Sequence, residues 1–449
     1  MTMIVKQCIN RERTSISTGY RADIDGLRAI AVLLVVLYHA GFPVPGGFVG
    51  VDVFFVISGY LITAILRREI LDRTFTFRSF YIRRIKRLMP AYFFLLACTT
   101  VYSGFYLLPD DMISYAKSAV ASLAGLSNVY FFMGTGYFGN AANEPLLHTW
   151  SIAVEEQFYV IWPMLLLALS WIDSKRAVRY AVAAILIASL VASHHYAVNH
   201  KNAAYLLLPF RFFELMVGAL LALYQHRVAK VVNPGPTIAI IGLTFVVASA
   251  FILDNSSAFP GIYALPVCIG TAMVIASGFN STNHLPLKAL QITPIRYIGK
   301  VSYSLYLWHW PVLALAQYRG IALTTENALI LIVVAFLASC FSYHFIETPF
   351  RNIKSKKFVS IAIPLYVVPS LLMCAGAYSI VKNDGFRSRS GELISELEDR
   401  NTSHVQRSQC ISVMIVGNYG DCHLGVDRPE ADGLLIGDSF ANAYAQFVD

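Results

Sequence analysis

The stretch GLRAIAVLLVVLYHAG, residues 26–41, is apolar enough to dissolve in lipid, yet it carries Arg28 and His39, eleven residues apart. Eleven steps of about 100° return to within roughly 20° of the starting direction, and at about 1.5 Å per residue the two groups stand about 16 Å apart on one face. Ionisable groups inside a membrane span are costly and normally face a protein interior or a wet cavity. The spacing therefore predicts a spanning helix with a polar lane along one side, Arg28 near the cytoplasmic edge and His39 far above it. The alternatives without function are an Arg28 that snorkels to the interface and a His39 capped by a neighbouring carbonyl.

The rest of the chain has the same character. Of 449 residues, 56% are hydrophobic and only 14% are charged. The mean hydropathy of +0.57 excludes an ordinary soluble enzyme of two or three domains. The first two dozen residues carry Lys6, Arg11, Arg13 and Arg21 and lack the pattern of a cleaved leader, so the first apolar segment is expected to stay in the membrane. Eleven apolar segments follow, at 26–44, 49–66, 89–108, 151–171, 180–198, 206–225, 236–253, 262–279, 302–318, 327–346 and 358–381. Each has the roughly 17–24 residues needed to cross a hydrocarbon core of about 30 Å. The expected fold class is an all-α polytopic membrane protein of about 11 transmembrane helices with a cytoplasmic N-terminus.

Charge placement tests that topology independently. It puts 24 of the 35 Lys and Arg residues on the cytoplasmic side, and only Lys117, Lys201 and Arg319 in the outer loops. That is the positive-inside pattern, so the net charge of +8 calls for no nucleic-acid partner. The expected division is a cytoplasmic segment 1–24, a membrane domain 25–357 of ten spans, an eleventh span 358–381 and an outer tail 382–449. Of seven cysteines, only Cys410 and Cys422 share that tail. An oxidising compartment would pair them, the alternative being two free thiols. The His and Cys residues lack ligand spacing, and no metal is expected.

Further polar groups sit in or beside the spans. FRSFYIRRIKRLMP places Arg78, Arg83, Arg84, Lys86 and Arg87 beside the third span. Guanidinium forks suit phosphate oxygens, although a basic loop on anionic lipid would look the same. NEPLLHTWSIAVEEQFYVIWP enters the fourth span from outside, with His148, Glu155, Glu156 and Tyr159; His148, Glu155 and Tyr159 can share one helix face. Arg211 and Glu214 read as an internal ion pair. His309, among aromatics in YSLYLWHWP, is open between structure and function, near an expected kink at Pro311. Asp52, at the start of the second span, is a candidate electrostatic partner of His39.

Six stretches occur in order: YRADIDGLRAIAVLLVVLYHAG, GGFVGVDVFFVISGYLIT, FYIRRIKRLMPAYF, LLHTWSIAVEEQFYVIWP, VSYSLYLWHWP and FIETPFR. Together, over roughly residues 20–355, they resemble the acyltransferase-3 family of membrane trans-acylases, in particular the O-antigen acetylases of bacterial lipopolysaccharide. The resemblance implies an enzyme of the bacterial inner membrane that takes acetyl from cytoplasmic acetyl-CoA and passes it outward to a sugar hydroxyl. Its partners would be a surface polysaccharide or its lipid-linked precursor, and membrane lipid. The family's arginine and histidine with ten residues between them correspond to Arg28 and His39, and its arginine pair with two residues between them to Arg84 and Arg87. Arg83, Arg84 and Arg87 would then hold the CoA phosphates. His39 would be the general base, or a transient acetyl carrier, and Glu155, Glu156 and His148 would orient or deprotonate the acceptor near the outer face, with Tyr159 and Asp52 beside them.

The tail carries a second resemblance. EADGLLIGDSFANAYAQF places Gly-Asp-Ser behind a short apolar strand, as in the first block of SGNH hydrolase-like domains, with Ser439 at the nucleophile position. Phe440 stands where the family often has His. Asp449 comes ten residues past Ser439, before the blocks that would activate it, so an incomplete periplasmic α/β segment that does not fold alone is expected. A secondary transporter would show paired half-sequences with broken segments, which are not seen. A non-enzymatic scaffold would not explain the ordered motifs.

Overall fold

The computed structural model describes residues 20–389 apart from 135, 138–142, 173–174, 232–234, 281–282 and 356. The candidates Ser439, Cys410 and Cys422, and with them the whole SGNH-like segment, lie outside the described residues.

A helix occupies every one of the eleven apolar segments. In chain order these are α1 (Ala22–His39), α2 (Gly50–Leu71), α3 (Phe77–Tyr106), α4 (Thr149–Ser170), α5 (Lys175–Asn199) and α6 (Leu208–Val231). They continue with α7 (Pro236–Ile252), α8 (Leu265–Ser277), α9 (Thr293–Tyr318), α10 (Thr325–Phe341) and α11 (Phe358–Lys382). No strand occurs among the described residues.

Seven of these regions are long and apolar enough to cross a membrane by length and composition, so the structure supports a polytopic membrane protein. The other four differ for identifiable reasons. Helix α1 carries Asp23, Asp25 and Arg28 within 18 residues, and α9 is diluted by Arg296, Lys300, His309 and a run of Ser, Tyr and Trp. Helices α7 and α8 are short, with 17 and 13 residues. Two of the four, α1 and α9, are the helices that hold His39 and His309.

Helix α2 is central, with 72% of its apolar window buried, whereas α10 and α11 bury only 17% and 11% and present their sides outward. The α2–α6 contact is built on small residues. A Cβ on Gly59 would strike the Leu215 carbonyl, and one on Gly218 would strike the Val56 carbonyl, so the two backbones touch where side chains are missing. The α1–α9 contact sets His39 at the end of α1 beside His309 of α9. Helix α9 continues through Pro311 with His309 buried. Thr76 caps α3 by accepting the Ser79 amide at 3.2 Å, which starts that helix more than a turn before Arg83, Arg84 and Arg87.

Candidate active site

Three cavities follow one another along the interior. The first is a basic vestibule of about 930 Å³, bordered by Arg28, Arg68, Arg83, Arg84, Arg87 and Lys300 among others. Arg28, Arg84 and Arg87 also line the second, a waist of about 160 Å³ that includes Glu155, Glu156 and Tyr159. Tyr306 and Val51 belong to both the waist and the third, a compact space of about 10 Å³ around His39 and His148. A space of that size holds about one water molecule, so Tyr306 stands at the neck through which a larger group must pass.

Arg28 and His39 lie at opposite ends of this lane, as the eleven-residue spacing predicted. Arg28 is 3.6 Å from Asp25, one turn back on its own helix. The Arg84 guanidinium lies over the Tyr159 ring at 4.9 Å and the Phe80 ring at 5.6 Å. The Nε of Arg87 is buried with no hydrogen-bond partner among the described residues. Arg83 is different. Its side chain is 45% exposed and pairs with Glu69 at 2.9 Å, at the vestibule rim.

The carboxylates are placed otherwise than expected. Glu155 accepts from Ser58 and Tyr159, each at 2.8 Å, and its cavity is the one shared with Arg28, Arg84 and Arg87. Glu156 lines the same cavity. Both therefore sit on the arginine side rather than at the expected outer end, because α4 begins beside His148 at the His39 cavity and seven further residues carry Glu155 about 10 Å along the helix. His148 alone of that group reaches the His39 cavity, where neither of its buried ring nitrogens has a hydrogen-bond partner among the described residues.

Asp52 is not a partner of His39. It is fully buried against Arg211, Oδ1 to Nη1 at 3.0 Å, and the same nitrogen donates to Glu214 at 2.8 Å. The anticipated Arg211–Glu214 pair is thus present with a third member. Arg211 also lies over the Tyr205, Phe259 and Trp150 rings at 4.6, 5.2 and 5.3 Å. The cluster is a structural lock that ties α2 to α6.

The partner of His39 is His309, Nδ1 to Nε2 at 3.1 Å, with the two rings stacked at 5.3 Å. His309 in turn bonds the Tyr306 carbonyl through Nδ1 at 2.6 Å. On its other side His39 Nε2 faces the Tyr137 hydroxyl at 3.3 Å, and the Trp310 ring lies 4.9 Å away between centroids at a steep angle. His309 was legible as a polar residue among aromatics. Nothing in the sequence marked Tyr137, which reaches the site from the long stretch before α4.

A buried imidazole joined to a basic vestibule by a lane of hydroxyls and carboxylates suits the transfer of a group carried by a phosphorylated donor. The acyltransferase domain model matches residues 21–346, from the start of α1 to beyond the end of α10. The chain belongs to the acyltransferase-3 family. Among its relatives is the peptidoglycan O-acetyltransferase OatA of Listeria monocytogenes, 34% identical over 365 residues, covering 76% of this chain and 57% of that protein. The O-acetyltransferase OatA of Staphylococcus aureus is 31% identical over 393 residues, 81% of this chain and 64% of that protein. The chain thus spans less than two thirds of the length of these relatives. No solved structure matches.

Proposed function

We propose that this chain is a membrane O-acetyltransferase that moves acetyl from acetyl-CoA, entering at the basic vestibule, to a hydroxyl of a cell-wall glycan. The observation that carries this reading is the lane that leads from Arg28, Arg84 and Arg87 to His39 through cavities with shared walls. The arginines hold the donor's phosphates, with the unpartnered Arg87 Nε offering a donor for an anion. The narrow waist takes the thin pantetheine arm, which brings the thioester toward Tyr306. His39 removes the proton of the acceptor hydroxyl as its oxygen attacks the thioester carbonyl; the C–S bond breaks and the thiolate receives that proton.

In this reading Glu155 holds Ser58 and Tyr159 in place beside the arginines, while His148 meets the acceptor. The arginine side is cytoplasmic and the histidine side faces outward, in a bacterial cytoplasmic membrane. The relatives' names favour peptidoglycan as the acceptor class over the lipopolysaccharide O-antigen suggested by the motifs.

The test uses the full chain in nanodiscs with acetyl-labelled CoA and soluble peptidoglycan oligosaccharides. Label is expected in the glycan, falling more than about 100-fold in His39→Ala. Label in lipopolysaccharide instead would return the acceptor to the O-antigen class. Thiol release in one burst without acceptor would make His39 an acetyl carrier. Absence of transfer to either glycan, or a fully active His39→Ala, would overturn the reading.

A further inference from the structure

We propose that His309 is a positioning residue that decides which nitrogen of His39 carries the proton; the proposal rests on the acyl-transfer reading above. A backbone carbonyl only accepts, so the 2.6 Å contact to Tyr306 O requires a proton on His309 Nδ1. In a neutral ring the other nitrogen, Nε2, then has a lone pair. His39 Nδ1, 3.1 Å away, must supply the hydrogen of that bond. The proton of a neutral His39 is thereby committed to Nδ1, and Nε2 is left bare. Nε2 is also the nitrogen that faces the Tyr137 hydroxyl, which can donate to it.

Among the described residues no other hydrogen-bond partner of His39 Nδ1 is found. The Tyr38 and Trp310 rings lie 5.1 and 4.9 Å from the His39 ring between centroids, and the Trp310 Nε1–H donates to the Glu144 carbonyl at 2.9 Å. His148 is near His309, at 5.8 Å between ring centroids, but makes no hydrogen bond to it. His309 is fully buried on a helix that continues through Pro311, and its Tyr306 bond closes within a single turn. The Tyr306 end of the relay is therefore fixed by the backbone of one helix.

The consequence for the reaction is specific. When the acceptor hydroxyl gives its proton to His39 Nε2, the imidazolium keeps its Nδ1–H on His309, so the ring does not turn as charge develops. As the C–O bond forms and the C–S bond breaks, the same Nε2 proton passes to the thiolate. His39 ends in the tautomer in which it began, ready for a second turnover. A carboxylate plays this orienting part in the Ser-His-Asp triad; here a neutral imidazole does so without placing another charge in the membrane.

The experiment combines solid-state NMR of the full chain, labelled with ¹⁵N-histidine in lipid, with kinetics of His309→Leu and His309→Gln. The His39 signal, assigned by its loss in His39→Gln, is expected to show Nδ1 protonated and Nε2 bare. Leu cannot accept, and kcat should fall about 100- to 1000-fold with KM for acetyl-CoA unchanged. Gln can accept from Nδ1 through its side-chain oxygen, and kcat should remain within about 10-fold of the parent. A His39 protonated at Nε2, a fully active His309→Leu, or a Gln variant as impaired as Leu would overturn the proposal. If the Leu variant does not fold, the tautomer and the Gln variant decide. If the parent transfers no acetyl, the functional reading fails, while the NMR still answers for the tautomer.

Discussion

Arg83 and Arg87 are four residues apart on α3, yet the structure gives them different work. Arg87 has a buried Nε without a partner and borders both the vestibule and the waist, whereas Arg83 is half exposed and already paired with Glu69. Arg87→Ala should weaken acetyl-CoA binding about 10- to 100-fold, the worth of one or two hydrogen bonds to a charged group. Arg83→Ala should change it less than about 5-fold, because a surface pair contributes little. Isothermal titration with the full chain in detergent separates the two. A repeat of positive charge in sequence says that an anion is welcome; burial says which guanidinium meets it.

At the scale of elements, the α2–α6 crossing and the α1–α9 pair set the distances in the site. Gly218 is where α6 presses its backbone on α2, and the crossing also carries the Arg211–Asp52–Glu214 lock. A methyl group at Gly218 has only backbone to displace. Gly218→Ala should destabilise the protein by about 1–3 kcal/mol, seen as a lower thermal midpoint in detergent. Ala in place of Gly376, which has open space around it on α11, should leave that midpoint unchanged or slightly higher. The sequence marked Arg211 and Glu214 as a pair by their i,i+3 spacing. It could not place Asp52 with them, because that contact joins residues 159 apart in the chain. Proximity of the first two spans made His39 the nearest candidate; packing gave Asp52 to Arg211 instead.

For the whole molecule, the stretch before α4 contributes a pH dependence. Glu144 is 5% exposed, and burial, with the Asp111 charge nearby, pushes its carboxyl up to about 7. The unfolded chain releases that proton near the ordinary carboxylate value, about 4.3, while the folded chain still holds it. Stability should therefore fall as pH rises from about 4.3 to about 7 and level off above that, which follows from the folded state binding more protons in this window. Thermal midpoints across pH 4.5–8 should show the fall in the parent and less of it in Glu144→Gln. An unchanged slope in the Gln variant would locate the effect elsewhere.

The sequence by itself determined the eleven helical segments and the alignment of Arg28 with His39. These are properties of single helices, fixed by apolar runs and a turn of about 100° per residue. The shared placement of Arg84 and Arg87 was also legible, because two arginines three residues apart point to the same side of one helix, and both line the vestibule and the waist. What neighbours each of these groups was decided only by the tertiary structure. It drew Asp52 to Arg211, moved Glu155 and Glu156 to the arginine end and brought His309 and Tyr137 to His39. Such contacts join residues about 100 to 270 positions apart, and no local pattern records them, since they depend on which helix faces which and at what depth.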